Sequence, residues 1–397
     1  MPLDKDLSAR AFGLGRLAAA SGERASEAAA GVLAQEGGAW GGLHVEEVSL
    51  GGAGRGPRTR FYRLRPAPDA DHRPARVGQW RSAPFGDAAS PRRLRWDALP
   101  FPDGSADFLD GMVTIGGAGD IALRLGVSVH IYRANRSMTD RYFFNADGEL
   151  LVAPQQGALA IRTEFGDLRI GPTAFAVIPR GVRFSVDLVD GPVRGFVCEN
   201  YGPPLRPSSS LGGQALAAIG LQAPKAAFED RQGPVELVAK FDGGFWTTEL
   251  AASPLDVVAW RGGYFPYRGD LAGLAAPGLH RLLSSPGRRG EGANLAFSIL
   301  AGATRGPRAE RTATSRYIGQ ICAAATSAGL PPGGGSLSVG LAGFDGAPAG
   351  ESGLAFMIET PLWLRPTRFA LSTPALQRSC DERAPAASVF PPASSSH

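Results

Sequence analysis

MTDRYFFNADGELLVAPQQGALAIRTEFGDLRIGPTAFAVIPRGVRFSVD, residues 138–187, is the stretch that decides the fold class. Five short apolar runs lie within it: Leu150–Val152, Leu159–Ile161, Leu168–Ile170, Phe175–Ile178 and Arg183–Val186. Turn residues separate them: Asn145-Ala146-Asp147-Gly148, Gln156-Gly157, Phe165-Gly166-Asp167, Gly171-Pro172 and Pro179-Arg180-Gly181. Short strands at even spacing, punctuated by Gly, Pro, Asn and Asp, predict an antiparallel sandwich or barrel.

The same rhythm extends in both directions. Upstream, Arg60–Arg65 alternates large apolar and basic residues before Pro66, which suits a strand with one buried face. Val127–Tyr132 is a further strand and carries His130; a single histidine in an apolar strand reads first as a hydrogen-bonded core residue. Gly116-Gly117-Ala118-Gly119-Asp120 reads as a turn, and residues 67–90, rich in Pro, Asp and Arg, as loop. Downstream, Gly195–Tyr201 is expected to close the sheet, and Pro203–Pro224 to be an irregular connection. Strand character resumes at Glu236–Lys240, Trp246–Leu250 and Leu255–Trp260, and a second β region follows from about Leu282, including Asn294–Leu300 and Leu354–Glu359. Pro331–Ser336 is too Gly-rich to expect regular structure. The expected organisation is an N-terminal tail (1–35), a large β domain (36–270), a smaller β domain (271–382) and a disordered tail (383–397).

With 397 residues, 44% hydrophobic and 20% charged, the chain can bury two cores. Its 54 Gly and 32 Pro favour turns, hence β structure. The net charge of +4 does not point to nucleic acid: only Lys5, Lys225 and Lys240 are lysines, and the arginines that make up the other basic residues are dispersed among 37 acids. Cys198, Cys322 and Cys380 have no paired spacing, so neither a disulfide framework nor a thiolate zinc site is expected. Without an apolar run of ~18 residues or a signal-peptide core, the expectation is a cytoplasmic protein with no membrane partner.

Ordered motifs then give a resemblance. GLHVEEVSL (42–50), FYRLRP (61–66), GGAGD (116–120), VHIYRANRSM (129–138), ENYG (199–202), FEDR (228–231), FWTTEL (245–250), SPLDVVAW (253–260) and LPPGGGSL (330–337) occur in the order found in homogentisate 1,2-dioxygenases. The chain resembles that family from about Gly42 to Glu382. The resemblance implies an all-β, cupin-like (RmlC-like) double-domain sandwich or barrel, with a large N-terminal β domain and a smaller C-terminal cupin-like one. It also implies a homo-oligomer (trimers pairing to a hexamer), an aromatic acid such as homogentisate as ligand, and a role in phenylalanine and tyrosine breakdown. Pro179-x-Gly181-x-x-Phe184 is similar to the second cupin motif with Phe in place of histidine, as is normal for this family's scaffold barrel.

The family holds Fe(II) on two His and one Glu in the C-terminal domain, with a further His as base. Such a face leaves open positions for a catecholic substrate and dioxygen, and the imidazole can take the phenolic proton. In this chain the base position after Val258-Ala259-Trp260 is Arg261. The segment Ala309–Gly319 puts Glu310 at the first ligand histidine and Arg316 at the ligand glutamate; the chain is shorter than the family between Ile299 and Arg316. After Gly335-Ser336-Leu337, Ser338 and Phe344 stand at two family histidines. A guanidinium ~5 Å from a dication would repel it by roughly 6–7 kcal/mol at an effective dielectric of ~20. Phe344 has no lone pair to offer. The resemblance therefore implies iron in the family and no iron at these positions here. Beyond Trp260 the remaining histidines, His280 and His397, have no partner at useful spacing.

Three readings follow. One is a family member whose iron chemistry is lost or impaired, a non-catalytic cupin that binds an aromatic acid or associates with other subunits. Another is an active dioxygenase with a rearranged site drawing on Glu310, Asp345 or Glu351 with His130. A third is a different cupin activity, such as an isomerase using Arg261, His130 or Glu199, against which stands the plain alternative that Arg261 and Glu199 form structural ion pairs.

Overall fold

The computed structural model describes residues 44–49, 58–66, 71–86, 94–208, 217, 219–272, 278–286, 293–303, 317–323, 335–340 and 353–376. The strands, in chain order, begin with β1 (His44–Ser49), β2 (Arg58–Arg63), β3 (Arg73–Ala75), β4 (Leu94–Asp97), β5 (Val113–Asp120) and β6 (Leu125–Ala134). Next come β7 (Arg141–Asn145), β8 (Glu149–Gln156), β9 (Leu159–Thr163), β10 (Gly166–Ile170), β11 (Ala174–Ile178) and β12 (Phe184–Leu188). Then follow β13 (Val193–Asn200), β14 (Arg206–Pro207), β15 (Gln232–Phe241), β16 (Gly244–Ala252), β17 (Val257–Gly262) and β18 (Tyr267–Asp270). The last are β19 (Gly278–Pro286), β20 (Ala293–Ala303), β21 (Tyr317–Ala323), β22 (Gly335–Gly340), β23 (Gly353–Thr360) and β24 (Arg365–Pro366), before a short helix, α1 (Arg368–Ser372), whose N-cap is Thr367.

Three seven-stranded sheets lie in layers: β10-β9-β12-β7-β15-β16-β3, β18-β11-β8-β13-β6-β5-β24 and β14-β19-β20-β23-β22-β21-β4. A smaller sheet, β1-β2-β17, accompanies them. All five runs of residues 138–187 are strands, as the sequence predicts. In β9 and β10 burial alternates residue by residue, so Leu159, Ile161, Leu168 and Ile170 enter the core while their neighbours face outward. β11 and β13 are buried throughout, because the sheet that holds them is covered on both faces. Val197, Tyr132, Val152 and Ile178 pack into one core. Phe196, Cys198, Ile131, Leu151 and Val177, one residue out of step, pack into a second core with Leu283, Leu295, Phe297 and Ile358 of the third sheet. The result is a nearly all-β set of stacked, open, sandwich-like sheets.

Four expectations need correction. Gly116–Asp120 is not a turn: it is most of β5, antiparallel to β6. Its glycines serve close approach, since a Cβ on Gly117 would meet Val127 O at 2.4 Å and one on Gly119 would meet Leu125 O at 2.1 Å. Gly195–Tyr201 does not close a sheet: β13 is central, paired to β6 on one side and β8 on the other. The expected loop 67–90 contains β3, which pairs with β16. Gly335 and Ser336 already belong to β22.

The position that holds histidine in the second cupin motif is sealed by rings. Gly181 takes φ +81°, and Phe184 is buried edge-on to Phe143, with centroids 5.5 Å apart. Strands also cross the sequence boundary expected near residue 270. β4 and β14 flank the third sheet, β24 joins the central one, and Trp96 Nε1 donates to Ala370 O at 2.7 Å. Among the described residues no helix is long and apolar enough to cross a membrane. The expected tails, 1–35 and 383–397, lie outside the described residues.

Candidate functional site

The densest polar constellation lies inside the N-terminal sandwich, between the two facing sheets. On the central sheet, Val197 pairs with His130, which places Glu199 diagonally across from the imidazole on the same face. On the opposing sheet, the parallel pairing of β15 with β7 sets Lys240 beside Asn145, and the turn after β7 carries Asp147. Glu199 is wholly buried and accepts from five side chains. Its Oε1 takes Asn145 Nδ2 and Lys240 Nζ, each at 2.6 Å. Its Oε2 takes His130 Nε2 at 3.1 Å, Tyr201 Oη at 3.2 Å and Trp80 Nε1 at 3.3 Å. Lys240 Nζ also donates to Asp147 Oδ2 at 2.8 Å, and lies 5.9 Å and 5.8 Å from the ring centroids of Trp80 and Tyr201.

Burial alone would push the Glu199 carboxyl up, but the ammonium of Lys240 and the bond from His130 outweigh it and hold it well below the usual carboxylate range. Burial pushes His130 down, only partly offset by Glu199, so the imidazole is neutral at pH 7. Its contact with Glu199 is therefore a charge-assisted hydrogen bond rather than an ion pair. An ionised Glu199 only accepts, which assigns the proton to Nε2; Nδ1 then faces Thr114 Oγ1 at 2.9 Å, whose one proton is shared with Arg81 O at 3.2 Å. Both ring nitrogens are committed. The network satisfies its charges internally; chemically it is a two-sheet clamp.

Of the residues singled out from sequence that are described, the fold brings His130 and Glu199 together. Arg261 is on β17, paired in register with Arg60, with its side chain exposed. Ser338 is on β22, opposite Gln320 and Met357. His280 is on β19, opposite Ile299. Glu310, Arg316, Phe344, Asp345 and Glu351 lie outside the described residues. Among the described residues, no three of His, Cys, Asp and Glu converge on a point where a metal could sit. Within this network His130 has its Nε2 held by Glu199 and its Nδ1 facing Thr114.

A family model described as homogentisate 1,2-dioxygenase N-terminal matches residues 44–271, more than half of the chain. The chain belongs to the homogentisate 1,2-dioxygenase family. Likeness to solved structures is distant. A cupin-2 domain protein from Shewanella frigidimarina is 15% identical over 19% of this chain and 70% of its own, with a TM-score of 0.17. One variant of Bacillus subtilis oxalate decarboxylase is 12% identical over 30% of this chain and 32% of its own, with a TM-score of 0.19. Another is 10% identical over 71% and 74%, with a TM-score of 0.24.

In this homogentisate 1,2-dioxygenase family member, sequence reasoning missed Lys240, the cation at the centre of the clamp. One signal was available: it is one of three lysines in an arginine-rich chain, at the end of the alternating run Glu236–Lys240. A compact ammonium suits a pocket walled by Trp80 and Tyr201 better than a planar fork does.

Proposed function

We propose that this homogentisate 1,2-dioxygenase family protein has lost the family's iron-dependent ring cleavage and persists as a catalytically impaired homologue on an intact β scaffold. The observation that supports this most directly is the residue set at the family's working positions: Arg261, Glu310, Arg316 and Phe344. Arginine carries its proton throughout the accessible pH range, so Arg261 cannot take a phenolic proton as the family's histidine does. Arg316 would oppose a dication, and Phe344 cannot ligate one. The commitment of both His130 nitrogens argues against a rearranged site that recruits this histidine. An aromatic acid such as homogentisate remains the ligand class that the family suggests. A cytoplasmic homo-oligomer is the setting that the family and the unpaired spacing of the cysteines in the sequence support.

The test is iron loading followed by metal analysis and oxygen uptake with homogentisate. The expected outcome is far less than one iron per chain and no homogentisate-dependent oxygen consumption. Stoichiometric iron with turnover would overturn the proposal.

A further inference from the structure

One rim of the N-terminal sandwich holds a cleft of about 200 Å³, smaller than the ~300–1,000 Å³ of drug-sized sites. Two cations reach it from separate turns: Arg124 from the turn between β5 and β6, and Arg180 from the turn between β11 and β12. Glu149, Tyr264, Pro203 and Pro204 line the remainder.

The cleft brings two cations together, and Glu149 and Asp147 offset the charge of Arg180 only in part. Among the described residues, neither Arg124 nor Arg180 is in an ion pair. Arg180 Nη2 donates to Tyr201 O at 2.9 Å, but its Nε is buried with no hydrogen-bond partner. Burial, followed by the charge of Arg124, lowers the Arg180 pKa from its ordinary value. A buried donor left unmade is costly, and an acceptor entering the cleft would remove that cost. Glu149 is a poor internal counter-ion, because burial pushes its carboxyl up to about 7 despite hydrogen bonds from Leu205 N at 2.7 Å and Asn200 Nδ2 at 3.4 Å. The Tyr264 hydroxyl already donates to Arg180 O, so Tyr264 contributes a ring and, with the two prolines, an apolar wall.

We propose that this cleft binds a compact organic carboxylate, its oxygens shared between Arg124 and Arg180 and its short apolar body against Tyr264, Pro203 and Pro204. A planar two-oxygen acceptor suits guanidinium forks. The apolar walls and the carboxyl of Glu149 disfavour a compact dianion such as phosphate. None of these residues belongs to the family's iron or base positions, so the site stands apart from the question of ring cleavage.

The test is calorimetric titration of the full-length protein, without added iron, using benzoate as probe and inorganic phosphate as a second arm. Saturable benzoate binding is expected, weakened about tenfold or more by Arg124→Gln and by Arg180→Lys, which keeps the charge but not the fork. Arg124 is an exposed turn residue, so its variant preserves the fold, which circular dichroism checks. Absence of saturable benzoate binding, or unchanged affinity in both variants, overturns the proposal. Phosphate binding tighter than benzoate overturns the carboxylate assignment. Because no iron is present, failure here leaves the loss of ring cleavage untouched, and recovered turnover would leave this site untouched.

Discussion

Lys240→Met removes the only ammonium that faces Glu199 and Asp147 among the described residues while keeping most of the apolar stem of the side chain. Lys240 and Glu199 are wholly buried, and Asp147 nearly so. Taking one partner from a buried ion pair costs about 3–5 kcal/mol, because the remaining charge stays desolvated. Asn145, His130, Trp80 and Tyr201 still donate to Glu199, so the expected loss at pH 8 is about 4 kcal/mol rather than more. The cost must depend on pH, and its sign is fixed. In the wild-type protein Glu199 is held below its unfolded value, so its contribution is present above that value and is lost only as pH falls through the folded one. Without Lys240 the desolvation that pushes the carboxyl up dominates. A carboxyl raised in the folded state destabilises above its unfolded pKa, and protonation relieves that. The penalty therefore shrinks from pH 8 to pH 5, and Glu199→Gln added to Lys240→Met restores about 2 kcal/mol at pH 8 by removing the orphaned charge. Urea unfolding at both pH values reads this directly, with the midpoint moving and the slope unchanged. A loss below about 1 kcal/mol, or one equal at pH 5 and pH 8, would refute the clamp.

Two further predictions concern other parts of the fold. Glu149, raised from 4.5 to about 7, costs stability as pH climbs through that interval, by roughly 3 kcal/mol at most. Arg180 is the charge that opposes the rise, and Arg124 lines the same rim. Glu149→Gln is thus expected to stabilise the protein at pH 8 and to be near neutral at pH 4.5; an identical effect at both would contradict a raised carboxyl. Gly166, in the β9–β10 hairpin, takes φ +122°, and a Cβ there would lie 1.7 Å from Lys225 O. Gly166→Ala should cost about 3 kcal/mol or more, since both the backbone and the neighbouring strand connection must shift. Retention of wild-type stability in thermal unfolding would disprove the close approach.

Much of the fold was legible because strands with one wet face declare themselves. β9 and β10 alternate by residue, and the turn of Glu164 and Phe165 between them falls where the sequence places one. β11 and β13 were legible as strands but not as central ones: an all-apolar run states that both faces are covered and leaves open by what. Gly116–Asp120 misled because glycine clusters serve turns and close packing alike, and only the neighbours Val127 and Leu125 distinguish the two. At the site, His130 was legible as a hydrogen-bonded core residue, and Glu199 as a structural partner. Lys240 and Asp147 were not, since 93 positions separate them in the chain and no local period encodes that distance.

The sequence by itself determined the all-β class and the family, because residue identity and order carry those facts. Only the tertiary structure decided which sheet is buried on both faces and that Glu199 and Asp147 neutralise Lys240. It also left Arg180 with a buried donor unmet at the rim of a cleft. The physical reason is that period-2 patterning sets the face on which a side chain lies, whereas partners across a sandwich are set by strand order and register, which depend on the whole chain.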